Sequence, residues 1–473
     1  MGKILVFLSS ILLFSGCQVS PPVKHIISID KNGSLTHPET GQLIEKYNDH
    51  INNVTLNNIN KNKIIIYIHG GLNTPYHSKK RARELLPLML DDGYYPIFIN
   101  WRSGVFTTYW EHLVHHRQGQ HWKYFGYVTS PFVMIADLAR GILRTPIVWW
   151  HKTGSYMKAN LFGRFPSEIN AVKNTEILKI SSSFGETPEL VDTRSSTKKI
   201  SDSVLGGVYL VGGLITAPIF DAVGTGAWGV MKRRTEIMFT KSMPFDVDLS
   251  LKKDKKDEKD LSLEEYSKLK KGVLTNFFEA LHKKQKSNPN LEIILVAHSM
   301  GTFVANNILS LSKWPKIKYS RIIYMAAACS IKDFQLAVVP YLKWSKNQFG
   351  NKSTKFFNYM LHPIAENLEA HGYGFGGTGT VLNQIDNFYE DPVSENQRVL
   401  GKWENVMNGI NYFNIKSIKS QIYLRTMPFD NGYPTTHGDF DNITFLCIGK
   451  FWKENFGKTN YCGKALLKNT IVK

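Results

Sequence analysis

Length, composition and charge limit the classes of protein to which this chain can belong. At 473 residues and 42% hydrophobic content, the chain can bury one large core plus an elaboration. Its net charge of +19 suits anionic membranes or nucleic acid, but the lysines and arginines are spread thinly and form no nucleic-acid recognition motif. We therefore expect no nucleic-acid partner, and a basic surface attracted to anionic lipid head groups.

The N-terminal segment has the pattern of an export signal. Lys3 precedes an apolar stretch, residues 4–14, which ends at Ser15-Gly16-Cys17. This pattern resembles a bacterial lipoprotein signal peptide. The resemblance implies removal of residues 1–16, lipidation of Cys17 and membrane attachment in the bacterial cell envelope. Since Gln18 is not the aspartate that retains lipoproteins in the inner membrane, the periplasmic side of the outer membrane is favoured. An ordinary secretory signal or anchor helix is the alternative.

Strand-like and helix-like stretches alternate in the first part of the mature chain. Residues 17–60 form an N-terminal segment with a predicted hairpin, because Asn32-Gly33 suits a tight turn. Residues 61–103 begin the core, with strands at 64–68 and 96–100 separated by a helix near 77–90. This alternation predicts an α/β fold, with a mostly parallel central sheet and helices on both faces.

A long insertion, residues 104–250, interrupts this alternation. It holds two apolar stretches, 127–150 and 204–231, and no charged residue occurs from Val204 to Phe220. A helix over those residues would reach about 25 Å, short of a membrane core of about 30 Å. Because Pro218 and paired glycines should also interrupt it, we predict a helical lid that packs on the core. Contact with the membrane interface and a true membrane span are the alternatives.

The core resumes at residues 251–473, where a serine follows a buried strand. Leu291–Val296 is strand-like, and Ala297-His298-Ser299-Met300-Gly301 comes directly after it. A serine between small residues at a strand-to-helix turn is typical of a nucleophile elbow, although Ala297 stands where glycine is usual. His298 is interpreted as packing the elbow.

Two other segments can complete a site around Ser299. The strand at 63–68 ends in His69-Gly70-Gly71-Leu72, and glycines let backbone N–H groups approach closely enough to stabilise an oxyanion. We expect Gly71 or Leu72 to act with the N–H of Met300. His437 follows the strand-like residues 421–426, where a general base is expected.

Together these motifs resemble the α/β-hydrolase superfamily, and more closely its lipase-like and esterase-like bacterial members. The resemblance covers roughly residues 60–445 and rests on the order of the His-Gly-Gly loop, the elbow and His437. It implies an α/β-hydrolase fold and a Ser299-His437-acid triad. Such a triad works through an acyl-enzyme and needs no metal or cofactor.

The acid of the triad has three candidates. The family's acid follows the strand after the one beyond the elbow, which favours Glu366 after the predicted strand 354–361. Asp386 is the second candidate, since aspartate is the commoner acid and lies nearer His437 in sequence. Asp333 follows the preceding strand, as the acid does in some lipases.

Arg102 and the cysteines say less about function, because each allows two interpretations. Arg102, at the predicted carboxyl edge of the sheet, is a possible contact for an anionic substrate group, and an ordinary surface ion pair is the alternative. Cys447 and Cys462 could form a disulfide or stay reduced, which leaves Cys329 as a free thiol.

These observations lead to one expected function and one alternative. We expect a membrane-anchored serine hydrolase that cleaves carboxylic esters, with lipid or acyl-ester substrates favoured by the anchor and the apolar lid. The alternative is a non-catalytic envelope lipoprotein that uses a hydrolase scaffold to bind lipid or a protein partner.

Overall fold

The computed structural model describes the protein in thirteen segments. These are residues 23–44, 50–71, 75–117, 120–122, 125–157, 179–182, 194–240, 271–310, 316–369, 378–409, 415–427, 434–441 and 450–453. Cys17, Leu72, Cys447 and Cys462 lie outside the described residues, so the predictions made for them stay predictions. Cys329 is buried and free, as expected.

One sheet organises the described residues. In chain order its strands are β1 (Ile26–Ile29), β2 (Leu35–Thr36), β3 (Lys63–Ile68), β4 (Tyr95–Trp101), β7 (Lys179–Ser182), β8 (Glu292–His298), β9 (Arg321–Met325), β10 (Lys355–Met360) and β11 (Ile422–Thr426). Their order across the sheet is β2-β1-β4-β3-β8-β9-β10-β11-β7. Every neighbouring pair is parallel except β1 and β2. The α/β class and the mostly parallel sheet are therefore confirmed. A separate two-stranded ladder joins β5 (His116–Arg117) and β6 (Gln120–His121).

Helices connect most of these strands. They are α1 (Pro75–Asp91), α2 (Val105–Val114), α3 (Gly126–Met157), α4 (Ser196–Ile237), α5 (Val273–Ser287), α6 (Gly301–Leu309), α7 (Ile331–Phe349), α8 (Pro363–Leu368), α9 (Val381–Gln384) and α10 (Trp403–Gly409). Shorter 3-10 or π turns lie at Val23–His25, His50–Leu56, Gly350–Lys352, Ile385–Tyr389, Glu395–Gln397, Lys416–Gln421 and His437–Asp441.

The core lies on both faces of the central strands. All residues of β4 and β9, and all but the first of β3, β8 and β10, are buried or nearly so. Strands read as continuous apolar runs when both faces of a parallel sheet are covered, which explains the absence of polar alternation in Ile64–Ile68. The predicted hairpin is also present, and Gly33 supplies its positive φ of 76°.

The strand order reverses at β3, which places a crevice at its carboxyl end. The chain passes from β3 to β4 on one side, while β8 pairs with β3 on the other. In open parallel sheets, ligands bind at the carboxyl ends of the strands where the order reverses. His69 follows β3 and Ser299 follows β8, so the two motifs meet at this point.

The insertion differs from its prediction in two respects. It is not entirely helical, because β7 pairs with β11 and forms one edge of the sheet. In addition, α4 runs unbroken over 42 residues through Pro218 and the glycine pairs. Proline at position 218 frees the carbonyl of Leu214, and the Trp149 indole N–H donates to that carbonyl at 2.8 Å. The neighbouring helix α3 thus provides a hydrogen bond for the Leu214 carbonyl, which without a partner would favour a break in α4.

Candidate active site

Ser299 lies on a strained turn between β8 and α6. Its φ is +49°, a left-handed conformation that a residue with a side chain rarely adopts. The Ser299 N–H donates to the Met325 carbonyl at 2.9 Å, and the Thr302 N–H donates to the Ser299 carbonyl at 3.0 Å. These bonds hold the turn from both sides, so the serine side chain is set in one direction.

Close approach of backbones explains why small residues flank the serine. A Cβ added to Gly301 would lie 2.7 Å from the Ile68 carbonyl oxygen and 2.8 Å from that of His69. A Cβ added to Gly70 would lie 2.9 Å from Ser299 Cβ. All three distances are too short for real atoms, so glycine at positions 301 and 70 follows from the packing of α6 onto the end of β3.

The structure brings the predicted nucleophile and base together. Ser299 Oγ and His437 Nε2 lie 2.9 Å apart, although 138 residues separate them in sequence. Both residues are buried, with 5% and 8% of their surface exposed. This is hydrogen-bond distance between a serine hydroxyl and an imidazole, the contact that a serine nucleophile needs for activation.

His298 bonds to the loop that carries His437. Its Nε2 donates to the His437 backbone carbonyl at 3.2 Å, and the two rings lie 5.1 Å apart. His298 is buried and points to the histidine loop rather than to the Ser299 hydroxyl. This contact agrees with the interpretation of His298 as a packing residue and adds that it positions His437.

The His-Gly-Gly loop lies against the start of α6. A Cβ added to Gly71 would lie 3.0 Å from Met300 Cβ, so the two segments expected to supply oxyanion donors are neighbours. His69 fixes the loop, because its Nε2 accepts from the Trp101 N–H at 3.1 Å and its Nδ1 donates to the Gly70 carbonyl at 2.6 Å.

Glu369 is a carboxylate from another element that contacts the histidine loop, whose own Asp439 accepts the Thr435 and Thr436 N–H groups. Glu369 Oε2 accepts the backbone N–H of His437 at 2.7 Å. Burial raises the pKa of this carboxyl to about 7, and the bond from His437 opposes that rise. Glu369 was not predicted from the sequence. The signal was its place in the segment after β10, where the resemblance described above also places the acid.

Glu366 lies one helical turn earlier, in α8, and faces another direction. Within the described part of the chain, its carboxylate accepts the Thr380 hydroxyl and does not bond to His437. Burial raises the pKa of Glu366 to about 8, so the group is mostly a neutral acid near pH 7. The two glutamates at the ends of this helical turn thus have different partners: Glu366 bonds to Thr380, and Glu369 bonds to the histidine loop.

Asp386 and Asp333 have structural partners of their own. Asp386 bonds to Lys402 Nζ at 3.1 Å and to the Val399 N–H at 2.9 Å. Burial opposes ionisation of Asp386, but Lys402 and Arg398 more than offset it and hold its pKa below the usual range. Asp333 caps α7, accepting the Ser330 N–H at 2.8 Å in a capping box. The structure joins neither aspartate to His437 among the described contacts.

Two cavities lie near these elements. One of about 300 Å³ is lined by Leu205 and Tyr209 of α4, by Ala365 and Leu368, and by Glu369 and Thr436 beside His437. A larger one of about 870 Å³ lies between α4, α6 and α7 and includes Asp333, and Ser299 lines neither of the two cavities.

The predicted contact residue Arg102 has an exposed side chain. Its backbone carbonyl accepts Arg234 Nη1 at 2.8 Å. A role for its guanidinium in substrate binding stays a prediction.

The buried acid Glu366 should make stability depend on pH. The folded chain keeps its proton up to about pH 8, whereas the unfolded chain releases it near about pH 4.5. The free energy of unfolding should therefore fall by about 4 kcal/mol between those values, and Glu366→Gln should remove that fall. Urea denaturation at several pH values measures it, with the surface change Glu84→Gln as control. An unchanged slope in Glu366→Gln would contradict the assignment.

Comparisons with known proteins found nothing similar. No family model matches the chain, and neither the curated proteins nor the solved structures include a match.

Proposed function

We propose that this protein is a serine hydrolase of carboxylic esters built on an α/β-hydrolase fold. The observation that carries the proposal is the 2.9 Å contact between Ser299 Oγ and His437 Nε2, made at a strained turn on the crevice of a parallel sheet. Strain of this kind persists where the surrounding structure enforces it, and it clusters at functional sites.

The geometry supports a two-step reaction. Ser299 Oγ attacks the acyl carbon and gives its proton to His437 Nε2, and the N–H groups of Met300 and Gly71 or Leu72 stabilise the oxyanion. Collapse of the tetrahedral intermediate breaks the ester bond, and the departing alcohol takes the proton from His437. Water activated by His437 then cleaves the acyl-enzyme, which releases the acid and restores Ser299.

Glu369 serves as the supporting carboxylate in this proposal, in place of Glu366. The backbone N–H of His437 donates to Glu369 Oε2 and fixes the loop, and the ionised carboxylate acts on the imidazolium that forms during the reaction through its nearby charge. Because the pKa of Glu369 is raised to about 7, the ionised form gains population as the pH rises through neutrality.

The lining of the neighbouring cavity favours substrates with an apolar acyl chain. Leu205, Ala365 and Leu368 supply apolar side chains to the cavity of about 300 Å³ that also borders Thr436. An acyl chain in this cavity would start beside His437 and extend under α4. Lipid or other acyl esters are therefore the proposed substrate class, as the sequence also suggests.

Activity-based labelling tests the nucleophile. A fluorophosphonate probe, with detergent present to open the lid, should label the wild type, and Ser299→Ala should abolish labelling. His437→Gln should slow it by about 10⁴-fold or more because the serine loses its base. The control Ser201→Ala, an exposed serine of α4, should label normally. Folded wild type that resists the probe would favour the non-catalytic binding scaffold.

Paired glutamine variants test the acid. Glu369→Gln keeps an oxygen to accept the His437 N–H but removes the charge, so kcat should fall by roughly 10²- to 10⁴-fold. Glu366→Gln should change kcat little, because Glu366 is already neutral near pH 7. The wild-type rate should also rise with pH through about 7. The opposite ranking of the two variants would restore Glu366 as the acid.

Acylation at Cys17 tests the proposed anchor. Cells supplied with labelled palmitate should incorporate it into the wild-type chain, and Cys17→Ser should lose the label. The matched change Cys329→Ser, at the buried free thiol, should retain it. A label that survives in Cys17→Ser would show that the lipoprotein interpretation is wrong.

A further inference from the structure

The helices α3 and α4 expose a long apolar surface. We define the outer face as the exposed sides of residues 128–150 and 204–219. Phe132, Leu143 and Trp150 of α3 are 72%, 81% and 79% exposed, and Val208 and Ile215 of α4 are 64% and 73% exposed. Soluble monomers rarely expose a contiguous apolar patch larger than a few hundred Å². A surface of this kind marks an interaction site.

The two helices form one antiparallel unit. The Trp149 indole N–H donates to the Leu214 carbonyl, and the Tyr156 hydroxyl donates to the Ser203 carbonyl, both at 2.8 Å. The exposed residues of α4 recur at three- and four-residue steps, and the stripe from Val204 to Ile219 is about 24 Å long. The outer face is thus a continuous strip and not a scatter of single apolar residues.

The opposite side of the hairpin is polar and packs on the protein. Arg144 Nη2 lies 3.1 Å from Asp391 Oδ1, and Asp137 Oδ2 lies 3.1 Å from His112 Nε2 of α2. From Asp221 onward, α4 is largely buried against the core. Over residues 128–150 and 204–219 the hairpin is therefore amphipathic, with charged side chains toward the protein and the outer face away from it.

The contact between the helices is of a type suited to lipid. Gly206, Gly213 and Ala217 of α4 are buried, and Gly141 of α3 has no room for a Cβ beside the Pro218 backbone. Small residues permit the close packing that holds helices together where no water drives their association. The carbonyl freed by Pro218 is satisfied within the hairpin, as a backbone group that faces hydrocarbon must be.

We propose that the outer face of the α3–α4 hairpin rests in the surface of a phospholipid bilayer, with both helices parallel to the membrane. Among the described residues, α4 is the one helix that is long and apolar enough to cross a membrane. Only 17% of its most apolar 18-residue window is buried. Its inner side faces protein, because Leu205 and Tyr209 line the cavity beside Ala365 and the C-terminal half is buried. Only the outer side of α4 is left to contact lipid. A helix with one lipid-facing side lies in the membrane surface and does not cross the bilayer.

Charge favours a bilayer over a second copy of this chain. Two chains that each carry +19 repel one another, whereas an anionic bilayer attracts both. Lys198 is exposed at the start of α4, where it can reach lipid phosphates, and Trp150 marks the far end of the α3 stripe. Both residue types suit the membrane surface, because the indole ring is amphipathic and the lysine ammonium can bind phosphate.

Quenching by brominated lipid tests this inference on the full chain. Vesicles of brominated phosphatidylcholine with a minority of phosphatidylglycerol should quench a substantial part of the tryptophan fluorescence of the bound protein. Trp150→Phe should lower that quenched part, and Trp344→Phe, a partly buried residue packed on the core, should leave it unchanged. Because quenching requires contact with the bromines, it reports on the outer face and not on the N-terminal anchor.

Charge substitutions supply the matched comparison. Val208→Asp combined with Ile215→Asp should at least halve the quenching, while Leu336→Asp combined with Val393→Asp, at exposed apolar residues elsewhere, should not change it. Circular dichroism checks that each variant is folded. Vesicle-bound wild type without quenching, or equal quenching in both double variants, would overturn the inference, as would a dimer that buries the outer face. Ser299→Ala should quench like wild type, so this result is independent of hydrolysis.

Discussion

The close approach of the start of α6 to the end of β3 is the constraint on which the site depends. The start of α6 passes so near the end of β3 that a single methyl group at Gly301 would overlap two carbonyl oxygens. Parallel pairing of β8 with both β3 and β9 fixes this approach, since the registers join Ile68 to Ala297 and His298 to Met325. The positive φ of Ser299 follows from this geometry, and the orientation of its hydroxyl follows from the turn.

The sequence predicted those features that depend on local pattern. The apolar run before Ser299, the glycines after β3 and the Asn-Gly hairpin each need particular residues at fixed spacing, so they could be identified without the fold. The orientation of Glu366 and Glu369 could not be predicted this way. Both follow β10, and only the course of the short helix α8 determines which carboxylate contacts the histidine loop.

The continuity of α4 shows a similar limit. Proline and glycine lower helix stability when a helix is considered alone, which is why the sequence indicated an interruption near residue 218. The partner helix changes that result, because its indole satisfies the freed carbonyl and its glycine allows close packing. Tertiary contacts that depend on residues far away in sequence can outweigh a local preference, and no pattern within the helix reveals them.

The strand β7 has a consequence for how the crevice can open. This strand lies in the insertion, between α3 and α4, and pairs with β11 over residues 179–182. Part of the connection between the two helices therefore belongs to the sheet. The insertion is thus tethered at its middle as well as at both ends. Displacement of the whole insertion as one rigid body would therefore break the pairing of β7 with β11. In the proposed hydrolase, a movement of α3 and α4 that exposes Ser299 would have to leave β7 in place.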